Sequence, residues 1–355
     1  MLHKLTPISI HPTYQMQEIL LAVVDAAVND IEFSQDIFPQ VLQDNWTTYS
    51  ILVEKLESVL YAYVNNLQDK VAFRDEFLNN NNIRLLCNDS SVNIISTINW
   101  EIEENLKKFF LYCYSVLDSK MYCNDQVNEK ARKEYDELFR AVNKYVCPFC
   151  GLNQYPNVNA TQRADFDHYI YKGDYPLSSA NMENLVPMCV ECNRDVKKTK
   201  NILFNNSRTY AFYPYDDIPE INFELLCLQE PTMDFNNKGE WSILITPNIT
   251  NNIIEQKIET WDRVFNIKQR YINDIKEFHE EWILSALDDK FEEFEDVAAL
   301  KVFFETKVSS LNRMLQRKME QKVYIKIIFF KFMHTTASNR FLNRFLQSHN
   351  NKLNA

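Results

Sequence analysis

Two cysteine pairs, Cys147-x-x-Cys150 and Cys189-x-x-Cys192, stand at the spacing with which a tight knuckle offers two thiolates to one metal ion. Two such knuckles close a tetrahedral four-thiolate site, the usual arrangement for Zn²⁺. With all four positions taken by protein, that ion would be structural rather than catalytic. The 38 residues between the knuckles exceed what a plain zinc ribbon carries, which a module inserted between them would explain.

Inside that interval, Asp165-Phe166-Asp167-His168-Tyr169 alternates with the period of a strand. Asp165, Asp167 and Tyr169 would lie on one face, and Phe166 and His168 on the other. Neighbouring Asp and His can serve one site only where the strand ends or bends. Farther on, Asn184-Leu185-Val186-Pro187-Met188 reads as a second short strand. The stretch from Cys192 to Lys198 reads as the start of a polar helix that carries Asn193 and Lys197 on one face.

The motifs CPFC at 147–150, DFDHYIYKGDYP at 165–176, NLVPMCVECN at 184–193 and the trailing Lys197-Lys198 together resemble the HNH, or His-Me finger, endonucleases. The resemblance is to the subgroup in which C-x-x-C knuckles flank D-x-D-H and N-L-V-P-x-C-x-x-C-N. It implies a ββα-metal module in which His168 is the general base that deprotonates a water and Asp167 ligates a single divalent cation. Asn193, where many members have histidine, becomes the second ligand, and Asn184 orients the first-strand loop and the base. Phosphodiester hydrolysis needs both a base near neutral pH and a cation to neutralise charge on the phosphate and the leaving 3′-oxygen. Oxygen ligands suit a hard ion, so the resemblance implies catalytic Mg²⁺ or Mn²⁺ separate from the structural Zn²⁺. Asp165 is either a partner near that cation or a plain strand residue. Lys197 and Lys198 are candidates to touch the nucleic acid. Tyr171 precedes Lys172 at a place where such proteins often have proline.

The remaining sequence must position this segment. The chain has 355 residues, 46% of them apolar, and only 3 glycines, too few for a fold rich in tight turns. The fold class is therefore mainly α, with a central ββα-metal module and its four-cysteine zinc site set between two helical regions. The expected segments are a helical 1–145, the module at 146–202, a mixed proline-bearing connector at 203–252 and a helical 253–355. Helical spacing is evident at Gln15–Ile31, Tyr49–Leu67 and Trp100–Val146. Asn79–Asn82 and Asn88–Ser91 read as surface loops without bearing on chemistry. Cys87, Cys113, Cys123 and Cys227 read as small buried hydrophobes.

A formal charge of −11 excludes indiscriminate binding of nucleic acid over the whole surface. Charge is unevenly spread: residues 253–300 sum to −7 and residues 301–355 to +9. Arg313, Arg317, Lys318, Lys322, Lys326 and Lys331 therefore either hold a phosphate backbone or pair with the acidic helices before them. Tyr210, Phe212, Tyr213 and Tyr215 are either a base-stacking platform or a packed cluster. With no secretory signal and no membrane-length apolar run, a soluble cytoplasmic protein is expected.

The expected function is a DNA endonuclease, paired in a homo-oligomer where both strands are cut and working as an anti-phage or restriction-type effector beside a sensor or ATPase subunit. The alternatives are an RNA-directed, toxin-like nuclease and a zinc-stabilised interaction module without catalysis.

Overall fold

The computed structural model describes residues 2–92, 94, 96–124, 130–155, 167–232, 237–316 and 321–354. It is mainly helical, with three two-stranded antiparallel sheets among the described residues. The chain divides into two compact units, one of residues 4–143 and 156–216 and the other of residues 1–3, 144–155 and 217–355. The four expected segments do not map onto these units one to one. Residues 144–155 group with the C-terminal part, and residues 156–216 group with the N-terminal helices.

The first unit is built on amphipathic helices. Helix α1 (Gln15–Val28) buries Met16, Ile19, Leu20, Val23, Val24, Ala26 and Ala27, the stripe that a 3.6-residue period turns to one side. Helix α2 (Lys70–Asn81) starts where the Asp69 carboxylate accepts a hydrogen bond from the Ala72 amide. Helix α3 (Glu104–Val116) buries Leu106, Phe109, Phe110, Cys113 and Val116, and α4 (Ala131–Val142) buries Ala131, Glu134, Tyr135 and Phe139. A single helical pattern from Trp100 to Val146 is thus two helices. Strands β1 (Asp167–His168) and β2 (Leu185–Val186) pair antiparallel, with Asp167 opposite Val186 and His168 opposite Leu185. Strands β3 (Phe204–Asn205) and β4 (Ser207–Arg208) form a minimal hairpin.

The asparagine run is no surface loop. Asn79, Asn80 and Asn81 form the last turn of α2, with Asn80 and Asn81 buried. The Asn81 amide donates to the Leu177 carbonyl at 3.2 Å, and the Asn181 amide donates back to the Asn81 carbonyl at 2.9 Å. Asparagine is suited to this work because one side chain both donates and accepts, and buried backbone groups outside regular structure need such partners. The run therefore braces the segment that follows β1.

In the second unit the expected connector contains a long hairpin, β5 (Ile221–Gln229) with β6 (Glu240–Pro247), in register Leu225 opposite Ile243. Five helices follow: α5 (Asn252–Phe265), α6 (Ile267–Asp288), α7 (Val297–Leu315), α8 (Val323–Thr335) and α9 (Asn339–Leu353). Asn266, in the left-handed region at φ 51°, breaks α5 from α6, a conformation asparagine tolerates better than most residues. The charge asymmetry is partly resolved inside this unit. Lys322 lies 3.3 Å from Asp274, Lys307 lies 3.1 Å from Asp289, and Lys352 lies 2.8 Å from Asp288. Among the described residues no helix is long and apolar enough to cross a membrane.

Asn81→Ala is expected to lower unfolding stability by about 1–3 kcal/mol, the cost of stranding buried polar partners. Asn79→Ala, at an exposed position, should stay within about 0.5 kcal/mol. Urea unfolding of both variants checks the pair, and equal effects would return the run to a surface loop.

Candidate active site around Asp167 and His168

The site starts from a lysine where no lysine is comfortable. Lys197 is 0% exposed, and an ammonium taken out of water needs compensating charge. Its Nζ lies 2.7 Å from Asp167 Oδ2 and donates to the His168 carbonyl at 2.8 Å. Asp167 Oδ2 is buried and takes part in no well-aligned hydrogen bond, so the Lys197 charge is its partner there. Burial raises the Asp167 carboxyl above its ordinary range, and Lys197 opposes that shift. Lys197 is therefore neither a solvated helix lysine nor a residue open to a phosphate, as its sequence position suggested.

Lys197 reaches β1 because it closes a π-helical turn, Glu191–Lys197, whose first turn carries Cys192 and Asn193. The Lys198 amide donates to the Asn193 carbonyl at 3.0 Å, the i to i+5 bond of a π turn. Lys198 itself sits at φ 50° with its side chain exposed. Asn193 is half-buried on this turn.

His168 is 5% exposed, and its ring is held from two sides. Nε2 lies 2.9 Å from the Ser179 carbonyl, which can only accept, so Nε2 carries the proton and Nδ1 keeps its lone pair. Ser179 is fixed in turn, because its hydroxyl donates to the Phe110 carbonyl of α3 at 2.9 Å. On another side the Tyr114 ring lies 4.5 Å from the imidazole, centroid to centroid. Burial, with the positive charge of Lys172 next, pushes the His168 pKa down to about 3. The ring is therefore neutral at physiological pH, and in this state it is a weaker base than the near-neutral one that the resemblance implies.

Asn184 closes the loop between these pieces. Its side-chain oxygen accepts the Ile170 amide at 2.7 Å, and its amide donates to the carbonyls of Ile170 at 3.1 Å and Ser178 at 3.2 Å. The Tyr169 amide donates to the Asn184 carbonyl at 2.8 Å. One fully buried side chain thus sets both ends of the segment that carries Ser179, the acceptor for His168.

The four cysteines are also gathered. The Sγ atoms of Cys147, Cys150, Cys189 and Cys192 all lie within 4.8 Å of one another, and all four residues are buried. Each pair makes the hydrogen bond of a knuckle: the Leu152 amide donates to Cys150 Sγ and the Cys192 amide to Cys189 Sγ, both at 3.4 Å. Around the first pair, Phe149 stacks on Phe265 at 4.6 Å, the Trp261 indole donates to the Phe149 carbonyl and the Tyr271 hydroxyl donates to the Cys150 carbonyl, both at 2.8 Å. Gly151 is required here, because it sits at φ 65° and a Cβ would come within 2.6 Å of Leu2.

Of the remaining expected residues, Lys322 meets the first knuckle through its backbone amide, which donates to the Gly151 carbonyl at 2.9 Å. Arg313 is exposed on α7, Lys322 is engaged by Asp274, Lys326 is half-buried and Lys331 exposed on α8. Asp165, Arg317 and Lys318 lie outside the described residues. Phe212, Tyr213 and Tyr215 are buried, which makes them a packed cluster and not an open stacking platform. Sequence reasoning missed Tyr114, Ser179 and Asn81. No local pattern marks them, since each reaches the site through tertiary packing alone. No known protein family, curated protein or solved structure matches the chain.

Lys197→Met should destabilise the protein by about 3–5 kcal/mol, because it leaves the Asp167 carboxylate buried without its partner. Adding Asp167→Asn should recover a large part of that loss, so a double-mutant cycle in denaturant will show strong coupling. Additive effects would mean that the ion pair is incidental.

Proposed function

We propose that this chain is a metal-dependent HNH-type endonuclease that hydrolyses phosphodiester bonds of nucleic acid, with DNA as substrate. The observation that carries the reading is His168. Its Nε2 proton is committed to the Ser179 carbonyl, so a neutral Nδ1 is left to accept a proton, one residue from the Asp167 carboxylate. A ring anchored in this way is preorganised for one task, removing a proton from an attacking water.

In this reading Asp167 and Asn193 hold a hard divalent cation, Mg²⁺ or Mn²⁺, with Asn184 supporting the loop. Two oxygen ligands suit Mg²⁺ better than Zn²⁺, and at Asp167 Oδ2 such an ion would share the carboxylate with the Lys197 ammonium, 2.7 Å away. When bound, the cation neutralises charge on the phosphate and the leaving oxygen. His168 accepts the water proton, Ser179 and Tyr114 hold its ring, and Lys197 keeps Asp167 and the His168 backbone in place.

The all-sulfur set of Cys147, Cys150, Cys189 and Cys192 fits structural Zn²⁺, since a tetrahedron with bonds of about 2.3 Å needs its four sulfurs this close together. Phe212, Tyr213 and Tyr215 are buried and Tyr210 is half-buried, which supports a packed cluster over an open base-stacking platform. Cutting both strands of a duplex calls for two such sites, which a homo-oligomer supplies.

Purified protein should nick supercoiled plasmid with Mg²⁺ or Mn²⁺ and not with EDTA, and His168→Ala should abolish the activity while retaining its metal. Cleavage undiminished in His168→Ala would remove the base from this account. Elemental analysis should find about one zinc per chain. Cys150→Ser and Cys192→Ser should each lose most of it and melt at lower temperature; a full zinc load in either would refute the four-thiolate site.

A further inference from the structure

The first unit also holds a cavity of about 430 Å³, within the range of small-ligand sites, about 300–1,000 Å³. Phe204, Arg208, Asp174, Tyr175 and Asn201 contribute to its wall. Phe204 and Arg208 stand opposite each other across the β3–β4 hairpin, and directly opposed residues of an antiparallel pair project from the same face. Phe204 is 47% exposed, so folding leaves much of its ring in water.

Arg208 is held in a way that fixes its plane. Nε donates to the Val92 carbonyl at 3.4 Å, Nη1 to the carbonyls of Leu203 at 3.1 Å and Thr209 at 3.4 Å, and Nη2 to those of Leu86 at 3.0 Å and Asp89 at 2.9 Å. All three nitrogens are thus engaged by backbone, and the half-buried guanidinium offers a ligand its flat face. Asp174 supplies an exposed carboxylate. The Asn201 amide donates to Asp174 Oδ2 at 2.9 Å and to the Tyr175 hydroxyl at 3.2 Å, which steadies the acid. A carboxylate keeps lone pairs on both oxygens after one such bond. An aromatic ring, a flat cation and an acceptor edge suit a planar heterocycle that stacks and donates. They do not suit a phosphate, which Asp174 repels and which Arg208 has no N–H left to bind.

We infer that this cavity binds a nucleobase of the substrate strand, guanine in preference to the others, with Phe204 as stacking platform and Asp174 as acceptor. Among the common bases guanine alone presents two adjacent N–H donors on one edge, N1–H and the exocyclic amine, which a single carboxylate accepts together. The inference deepens the endonuclease reading and rests on it for the source of the base. In a paired duplex that edge is occupied, so the base comes from a single-stranded or extruded position. The chain itself ties the cavity to the candidate active site. Asp174 and Tyr175 lie on the loop whose end, Ser179, fixes His168, and Asn201 follows the turn that Lys197 closes.

The test measures anisotropy of a labelled single-stranded thymine oligonucleotide with one central guanine, and of the same strand with adenine there, bound by the full-length protein without added Mg²⁺ or Mn²⁺. The guanine strand should bind about tenfold more tightly, the scale of hydrogen bonds to a charged group. Phe204→Ala should weaken binding of both strands by about fivefold or more, the scale of one lost stacking contact. Phe204→Trp should restore the affinity, and Phe204→Leu, which keeps an apolar side chain and a wild-type melting temperature, should not. Asp174→Asn should bring the two strands to equal affinity. Phe291→Ala, at an 85% exposed phenylalanine of the second unit, should change neither strand's binding.

Equal affinity of the two strands for the wild type, or unchanged binding in Phe204→Ala and Phe204→Leu, would overturn the inference. So would Phe204-dependent binding of guanosine monophosphate where the strands show no guanine preference, since the base would then come from a free nucleotide. If the wild type cleaves plasmid and the strands show no preference, the nuclease reading stands and only the base site falls. If the strands bind as stated and the wild type cleaves no nucleic acid, the base site stands and the nuclease reading falls.

Discussion

The buried ion pair between Lys197 and Asp167 is the constraint on which the site depends. An ammonium with no exposure is tolerated only where a carboxylate and a carbonyl share its charge, and Asp167 and the His168 backbone are those partners. The pair ties the π turn that carries Cys192 and Asn193 to the short strand that carries Asp167 and His168. It also bears on what Asp167 can do, because burial raises the carboxyl above its ordinary range and the lysine opposes that shift. Asn184 performs the complementary task on the other side of the strand, using one side chain to close the loop from Ile170 to Ser178. Between these two supports His168 loses its freedom, and its Nε2 proton is assigned by a carbonyl that cannot donate.

Much of this site could be read from the chain before any coordinates. The cysteine spacing pointed to four thiols around one ion, and those thiols are gathered. The alternating Asp165–Tyr169 segment and Asn184–Met188 were read as strands, and β1 and β2 pair where those segments lie. The scarcity of glycine pointed to a mainly helical chain, which this is. All of these readings rest on residue type and local period, which a sequence carries openly.

What could not be read depends on burial and long-range contact. Lys197 looked like a surface residue because a polar helix was expected around it, yet a π turn and a carboxylate on another strand take it into the interior. Four consecutive asparagines looked like a loop because turn preference is a local statistic. Asn81 instead meets Leu177 and Asn181, about a hundred positions away. Tyr114 and Ser179 carry no motif and acquire meaning only beside the imidazole. The connector at 203–252 hid a nine-residue strand and its eight-residue partner, because β5 departs from strict alternation.

The most direct test of the account is anomalous diffraction from crystals of the full chain soaked in Mn²⁺, with data at the manganese and zinc edges. The account predicts zinc among Cys147, Cys150, Cys189 and Cys192, and manganese held by Asp167 and Asn193. Crystals that diffract well and carry zinc, but show no manganese at Asp167 and leave its carboxylate paired with Lys197 alone, would contradict it.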